Sequence, residues 1–463
     1  MAGRPPLNRS IGAPAPPVSF GEAFRVWLKI GLTGFGGPAG QIALMHRILV
    51  DEKRWIGEGR FLHALNYCML LPGPEAQQLA IYVGWLLHGV AGGLVAGILF
   101  VLPGALAILA LSVLYAGFQE TSLVQALFFG LKPAVLAIVF DAVLRIGRRS
   151  LRNRIMVTLA ASAFVAVFFL DISFPLVVAA AAIFGYVGSW VGMTAFAAVG
   201  GHGPATAVDA LIDGETPEHI RPSLTRAIKT AVICMALWLG PVAVLNLWLG
   251  SENVFALMGV FFSKAAIVTF GGAYSVLAYV AQEAVQTFGW LRSTEMLDGL
   301  GLAETTPGPL ILVLQFVGFM AAFREAGGLD PMVAGVLGAV LVTWVTFVPC
   351  FLWIFLGAPY VETVRANKKL SAALAAITAS VVGVILNLAL WFALHVVFAE
   401  VAERQVYGIR LLVPAWASVD PAALVLAAGA LIAMLVFRVG MMPTLAAGAA
   451  LGLLYKLAVT YAA

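Results

Sequence analysis

Phe35-Gly36-Gly37, Trp55 and Pro72-Gly73-Pro74 in the first half of this chain return as Phe270-Gly271-Gly272, Trp290 and Pro307-Gly308-Pro309 in the second, and Lys29 returns as Lys264. The offset is constant, since 270 − 35, 290 − 55 and 307 − 72 all equal 235. Two copies of one unit therefore align without a gap. Each copy sets Gly and Pro inside apolar segments long enough to cross a bilayer. In a membrane protein, interrupted helices at matching places of two halves point to a substrate site between repeats, and the pattern reads as a transporter.

Composition names the solvent. With 62% hydrophobic residues, 11% charged and a mean hydropathy of +0.98, the chain cannot cover a soluble globule, so it must face lipid. Long uncharged runs such as 94–114 and 176–199 have the roughly 20 residues an α-helix needs to cross hydrocarbon, and they lack the alternation of a membrane barrel. The expected fold is all-α and polytopic. Thirteen spans are expected, near 22–45, 61–88, 90–117, 123–146, 155–171, 175–198, 227–249, 254–281, 296–323, 331–357, 370–398, 421–437 and 441–460. Residues 1–20, rich in proline, read as a disordered lead without a signal peptide, 21–200 as the first repeat, 201–226 as a polar linker and 227–463 as the second repeat. Cys68, Cys234 and Cys350 lie far apart in apolar stretches, which argues for packing residues rather than disulfides or a metal site.

Lys and Arg stay on the cytoplasmic side of membrane proteins. Starting inside places Arg4, Arg9, the group Arg145, Arg148, Arg149, Arg152 and Arg154, then Arg221, Arg226, Arg365, Lys368, Lys369 and Arg438 all on that side. The loop from Arg47 to Arg60 is the exception. The N-terminus is thus expected in the cytoplasm and the C-terminus in the periplasm. Seven spans separate the starts of the two repeats. Because seven is odd, the repeats should be inverted in the membrane, the arrangement that lets two halves exchange conformations for alternating access.

The breaks carry the chemistry. Gly36 and Gly37 before Pro38 should open a helix, leaving unpaired amides at a half-helix N-terminus that attract anions; Gly271 and Gly272 repeat this. The second break, Pro72-Gly73-Pro74, is followed by Glu75, Gln77 and Gln78. For Glu75, helix capping and proton coupling both remain open. In the second copy Glu304 precedes the prolines and Thr305 and Thr306 add hydroxyls. A carboxylate at membrane depth is costly enough to mark function, so Glu304 is a candidate for coupling or gating. Lys29 and Lys264 could supply two charges to one dianion or could snorkel to headgroups. Asn66 is a further binding candidate, and Arg47 and Asp298 are gating candidates, although for each of the three a satisfied structural polar contact is the stronger reading. The histidines are too scattered for a metal centre, and no cofactor or nucleic acid is expected.

Gly36–Ala43, Ala64–Gln78, Phe270–Tyr274 and Asp298–Pro309 closely resemble the long-chain, two-domain members of the chromate ion transporter family, over nearly the whole chain. The resemblance implies chromate export across a bacterial inner membrane, giving chromate resistance. Sulfate has the same tetrahedral dianionic form, so a general oxyanion carrier remains open; so does an anion channel. An intramembrane enzyme has less support, since the chain has no HExxH, GxSxG or Gly-rich nucleotide loop. Small residues from Gly89 to Gly97 permit close helix packing without deciding between a monomer and a homodimer.

Overall fold

The computed structural model describes residues 18–193, 223–360 and 368–462. Most of the expected lead (1–17), most of the linker (201–222) and the end of the sixth span (194–198) lie outside the described residues. The first half runs α1 (Phe20–Thr33), α2 (Gly37–His46), α3 (Glu58–Cys68), α4 (Glu75–Phe118), α5 (Ser122–Ser150), α6 (Arg154–Phe168) and α7 (Phe174–Trp190). After α8 (Leu224–Leu249) come α9 (Val254–Val268), α10 (Ala273–Gln282), α11 (Ser293–Thr305), α12 (Val313–Arg324), α13 (Pro331–Gly357), α14 (Lys368–Val397), α15 (Pro421–Leu435) and α16 (Met441–Ala462). Side-chain oxygens of Ser19, Asn153, Asp330 and Asp420 cap α1, α6, α13 and α15 by accepting from backbone amides one turn on.

Among the described residues six helices, α4, α5, α8, α13, α14 and α16, are long and apolar enough to cross a membrane. Four expected spans, 22–45, 61–88, 254–281 and 296–323, are each two shorter helices divided at a Gly or Pro break, as the repeated motifs demand. None of their halves α1, α2, α3, α9, α10, α11 and α12 exceeds 15 residues, short of the about 20 that a crossing requires. The continuous 44-residue α4 turns sharply at His88 and Gly89, where Gly89 adopts φ 62°, so it supplies the second half of the expected span 61–88 and the whole of 90–117. Even irregularities repeat: α2 runs into a π-helical turn at Arg47–Glu52 and α10 into one at Glu283–Thr287.

One element departs from the all-α expectation. Strands β1 (Val401–Val406) and β2 (Ile409–Pro414) pair antiparallel, from Val401 opposite Pro414 to Val406 opposite Ile409. Tyr407 and Gly408 both take positive φ, 51° and 78°, as a two-residue hairpin turn requires. The connection between two hydrophobic spans conceals this short polar hairpin from a hydropathy reading. Arg410 fastens it to the rest: its Nη1 lies 2.9 Å from Asp171 and donates to Gln286 at 3.0 Å, while its amide donates to Phe169 O at 2.7 Å.

The halves interlock. α5 of the first half packs against α15 and α16 of the second, and α14 of the second packs against α6 and α7 of the first. Reciprocal exchange of corresponding surfaces is what a local two-fold relation produces. Close approach depends on small residues: Gly130 of α5 lies against Gly448 of α16, and Gly185 of α7 against Ala372 and Ala376 of α14. With no water to exclude between helices in lipid, such backbone proximity is how membrane helices gain packing energy. All three cysteines are free and buried.

Candidate functional site

The four helix breaks meet at the centre of the interlocked halves. The Gly73 amide donates to Thr269 O at 2.8 Å, and the Gly308 amide donates to Gly34 O at 2.9 Å. Since 73 + 235 = 308 and 34 + 235 = 269, these are one bond made twice. Each Pro-Gly-Pro segment is tied to the Phe-Gly-Gly break of the other repeat. Glycine is needed here because Gly36, Gly37, Gly73, Gly271, Gly272 and Gly308 have φ of 91°, 66°, 116°, 76°, 99° and 98°, values that a Cβ strongly disfavours.

Buried amides complete the scaffold. Gln41 Nε2 donates to Gly34 O at 3.2 Å and Gly308 O at 2.5 Å, so one side chain satisfies carbonyls of two breaks, one from each repeat. Gln78 donates to Pro72 O at 2.7 Å, and Gln315 to Ala105 O at 2.8 Å. Gln77 is also buried. A Cβ on Gly104 would collide with Pro307 O, and one on Gly73 would lie 3.1 Å from Cys350 Sγ. α4 and α13 thus back the opposite Pro-Gly-Pro segments.

On one side of this crossing lies a cavity of about 480 Å³. Pro38 and Ala39 at the start of α2, Glu75 at the start of α4 and Gly271, Gly272, Ala273 and Tyr274 around the start of α10 all line it. Three half-helix N-termini therefore converge on one space, each carrying unpaired amides and partial positive charge. α5 contributes Arg145 and Arg149, an i,i+4 pair on one face, with Ser150 at its end. Arg145 also pairs with Asp141, and Arg149 reaches Met69 Sδ at 3.6 Å. The cavity wall thus combines three helix starts and two guanidiniums with one carboxylate, Glu75.

Glu304 lies behind that wall. It is 3% exposed, and Tyr274 Oη donates to its Oε1 at 2.7 Å, so a cavity-lining phenol connects the carboxylate to the space. Thr305 and Thr306 donate to Leu302 O and Ala303 O within α11, at 2.9 and 3.1 Å, which occupies their hydroxyl protons in this state. Pro307 and Pro309 flank the bond of Gly308 to Gly34, and Pro72 and Pro74 flank that of Gly73 to Thr269.

The other expected residues stand apart. Lys29 on α1, Lys264 on α9 and Asn66 on α3 are exposed and do not line the cavity. Arg47 is exposed and lies 3.5 Å from Glu52. Asp298 is buried, with Lys132 Nζ 3.3 Å from its Oδ1 and Tyr115 Oη donating to its Oδ2 at 2.8 Å. Sequence reasoning missed Arg145 and Arg149 as site residues because it used them only as topology charges; their four-residue spacing was the available signal. Tyr274 stood in the repeated block without drawing notice, and Gln41 carried no signal beyond being polar in an apolar run.

Comparison with known proteins agrees with this internal organisation. The sequence pattern of a family described as Chromate transporter matches residues 21–186 and 256–453. The two matches begin 256 − 21 = 235 residues apart, the offset of the internal repeat. The chromate transport protein of Pseudomonas aeruginosa is 36% identical over 376 residues, 80% of this chain and 80% of that protein. That of Cupriavidus metallidurans is 28% identical over 384 residues, 82% of this chain and 85% of the relative. No solved structure matches this chain. With both matched segments carrying the breaks that build the cavity, the chain belongs to the chromate transporter family.

Proposed function

We propose that the protein is a secondary transporter that exports chromate from the cytoplasm across a bacterial inner membrane, with its N-terminus inside and its C-terminus in the periplasm, and thereby gives chromate resistance. The observation that carries this reading is the cavity where three half-helix N-termini face Arg145 and Arg149. A tetrahedral dianion placed there receives amide hydrogens from several directions and two guanidinium charges. Beside the cavity, a second space of about 710 Å³ is lined by Asp141, Arg145, Arg148, Arg149 and Arg438. On the expected orientation that basic side faces the cytoplasm and concentrates anions at the entrance.

The membrane potential supplies a driving force. Moving one charge through 100 mV releases about 2.3 kcal/mol, so a dianion leaving an inside-negative cell gains about 4.6 kcal/mol. Glu75 in the cavity wall and Glu304 behind Tyr274 are the groups through which proton exchange would couple. The inverted, reciprocally bonded halves supply the alternation: exchanging their conformations closes the cavity on one side and opens its counterpart on the other.

The test is chromate flux in everted vesicles under an imposed potential. Saturable accumulation that rises with potential and shows counterflow supports a chromate carrier; flux without saturation or counterflow marks a channel. Sulfate that competes at equal concentration makes the protein a general oxyanion carrier, and absence of chromate flux removes the substrate assignment.

A further inference from the structure

Lys132 is the one charged residue between Ser122 and Phe140 of α5. A lone lysine in a spanning helix is costly in lipid and calls for a partner. Its partner is Asp298 of α11, 5% exposed, with Nζ 3.3 Å from Oδ1. Tyr115 of α4 donates to the other carboxylate oxygen at 2.8 Å, whereas Oδ1 accepts no aligned hydrogen bond. Lys132 is therefore held by charge more than by bond geometry. The cluster joins the two halves, since α4 and α5 belong to the first and α11 to the second.

The cluster lies on the line of the cavity. Along α5, Lys132 stands 13 residues before Arg145 (145 − 132), about 20 Å at 1.5 Å per residue. Along α11, Asp298 stands six residues before Glu304 (304 − 298), about 9 Å. Between them the two helices touch through Gly301, where a Cβ would sit 3.5 Å from Val135 Cγ2 and 3.9 Å from Leu131 Cβ. One seam thus leads from the anion cavity, past Tyr274 and Glu304, to the buried pair. The repeat offset sharpens the point: the counterpart of Asp298 is His63 (298 − 235), so the carboxylate of this tie exists at one end of the molecule only. The opposite end holds the cavity.

We propose, resting on the transport reading above, that Lys132 is the outer anion-binding residue of the translocation path and that Asp298 occupies it while the outer end is closed. When the halves exchange conformations, α11 withdraws from α5 and the carboxylate leaves the ammonium. The oxyanion then takes its place on Lys132 before release, and return of Asp298 resets the closed end. Tyr115 positions Asp298 for that return.

Two measurements test this. In a chain whose three cysteines are replaced by alanine, Leu131→Cys places a thiol on the α5–α11 seam. A membrane-impermeant maleimide added from the outer face should label it about tenfold faster when Asp298→Asn releases the tie, a gain that corresponds to a loss of closure of about 1.4 kcal/mol. Equal or slower labelling overturns the assignment, and this result does not depend on the cargo. The second measurement is chromate flux. Lys132→Gln should lose flux about tenfold or more, and Lys132→Arg should retain much of it. The double variant Lys132→Gln with Asp298→Asn, which leaves no unpaired buried charge, should fold and yet remain inactive. Recovery of flux by the double variant would make the pair a structural strut and overturn the proposal. If the parent itself carries no chromate, the substrate assignment fails while the labelling comparison still decides the role of the pair.

Discussion

The two Pro-Gly-Pro segments share a backbone and differ in chemistry. Gly73 and Gly308 have φ of 116° and 98°, and each amide reaches across to the break of the other repeat at 2.8 and 2.9 Å. Around these matched turns the side chains diverge. The first segment borders the cavity and is followed by Glu75; the second is backed by Gly104, and its acid, Glu304, comes before the prolines and is covered by Tyr274. A scaffold that must adopt two exchanged conformations needs backbone symmetry. Chemistry that must tell inside from outside needs the opposite.

The largest effect should come from stripping the open side of its cations. Arg145→Ala together with Arg149→Ala removes both guanidiniums from the cavity while leaving the four breaks untouched. Chromate flux should fall about 100-fold or more, equivalent to about 2.8 kcal/mol of lost anion stabilisation, in protein that still purifies as a folded species. Flux within threefold of the parent would move the binding site away from the cavity.

The shared backbone predicts matched damage. Alanine at either glycine introduces a Cβ at positive φ, a strain on the order of 1–3 kcal/mol. At Gly73 the new atom also meets Gln78 Nε2 at 3.0 Å; at Gly308 it meets Leu312 Cδ1 at 3.1 Å. Gly73→Ala and Gly308→Ala should therefore lower the thermal midpoint in detergent by similar amounts. A large drop for one and none for the other would mean that the two bonds across the repeats are not energetically equivalent.

The side chains predict the reverse, a split. Glu75→Gln changes a carboxylate in the wall of an already positive cavity and should alter apparent chromate affinity by a few-fold. Glu304→Gln replaces a buried acceptor of the Tyr274 hydroxyl and should reduce the maximal rate and abolish any response of flux to an imposed proton gradient, with little change in affinity. Identical behaviour of the two variants would dissolve the division of labour between the segments. Each tenfold change in rate or affinity corresponds to about 1.4 kcal/mol.

Much of the scaffold was legible because it rests on residues with few alternatives. A glycine forced to positive φ and a proline that cannot donate announce a broken helix wherever they fall in an apolar run, and their recurrence at one offset located all four breaks. What remained hidden depends on three-dimensional approach. Gln41 gains its role from carbonyls 7 and 267 residues away, and Lys132 gains its partner from a helix of the other half. The β1–β2 hairpin was lost because hydropathy registers what lies in lipid, and its alternation spans only six residues a strand. Arg145 and Arg149 show a subtler failure: one physical property, positive charge, was credited wholly to topology when it also serves a site.

Lys29 and Lys264 pose the reverse problem, a repeated signal whose placement separates it from the cavity. Both occur six residues before a Phe-Gly-Gly break, and both are exposed on the short helices α1 and α9. An exposed lysine on a spanning half-helix keeps its stem along apolar surface and sends its ammonium toward headgroups or water, where screening leaves little for a distant anion. The double variant Lys29→Ala with Lys264→Ala should accordingly change chromate affinity by less than about twofold, under 0.5 kcal/mol, with any loss appearing as poorer insertion. A tenfold loss of affinity in fully inserted protein would place both ammonium groups on the anion path in the exchanged conformation. In that case the two-fold relation would extend from the backbone to the charges, and the asymmetry between the two Pro-Gly-Pro segments would describe one state of the cycle rather than a division of function.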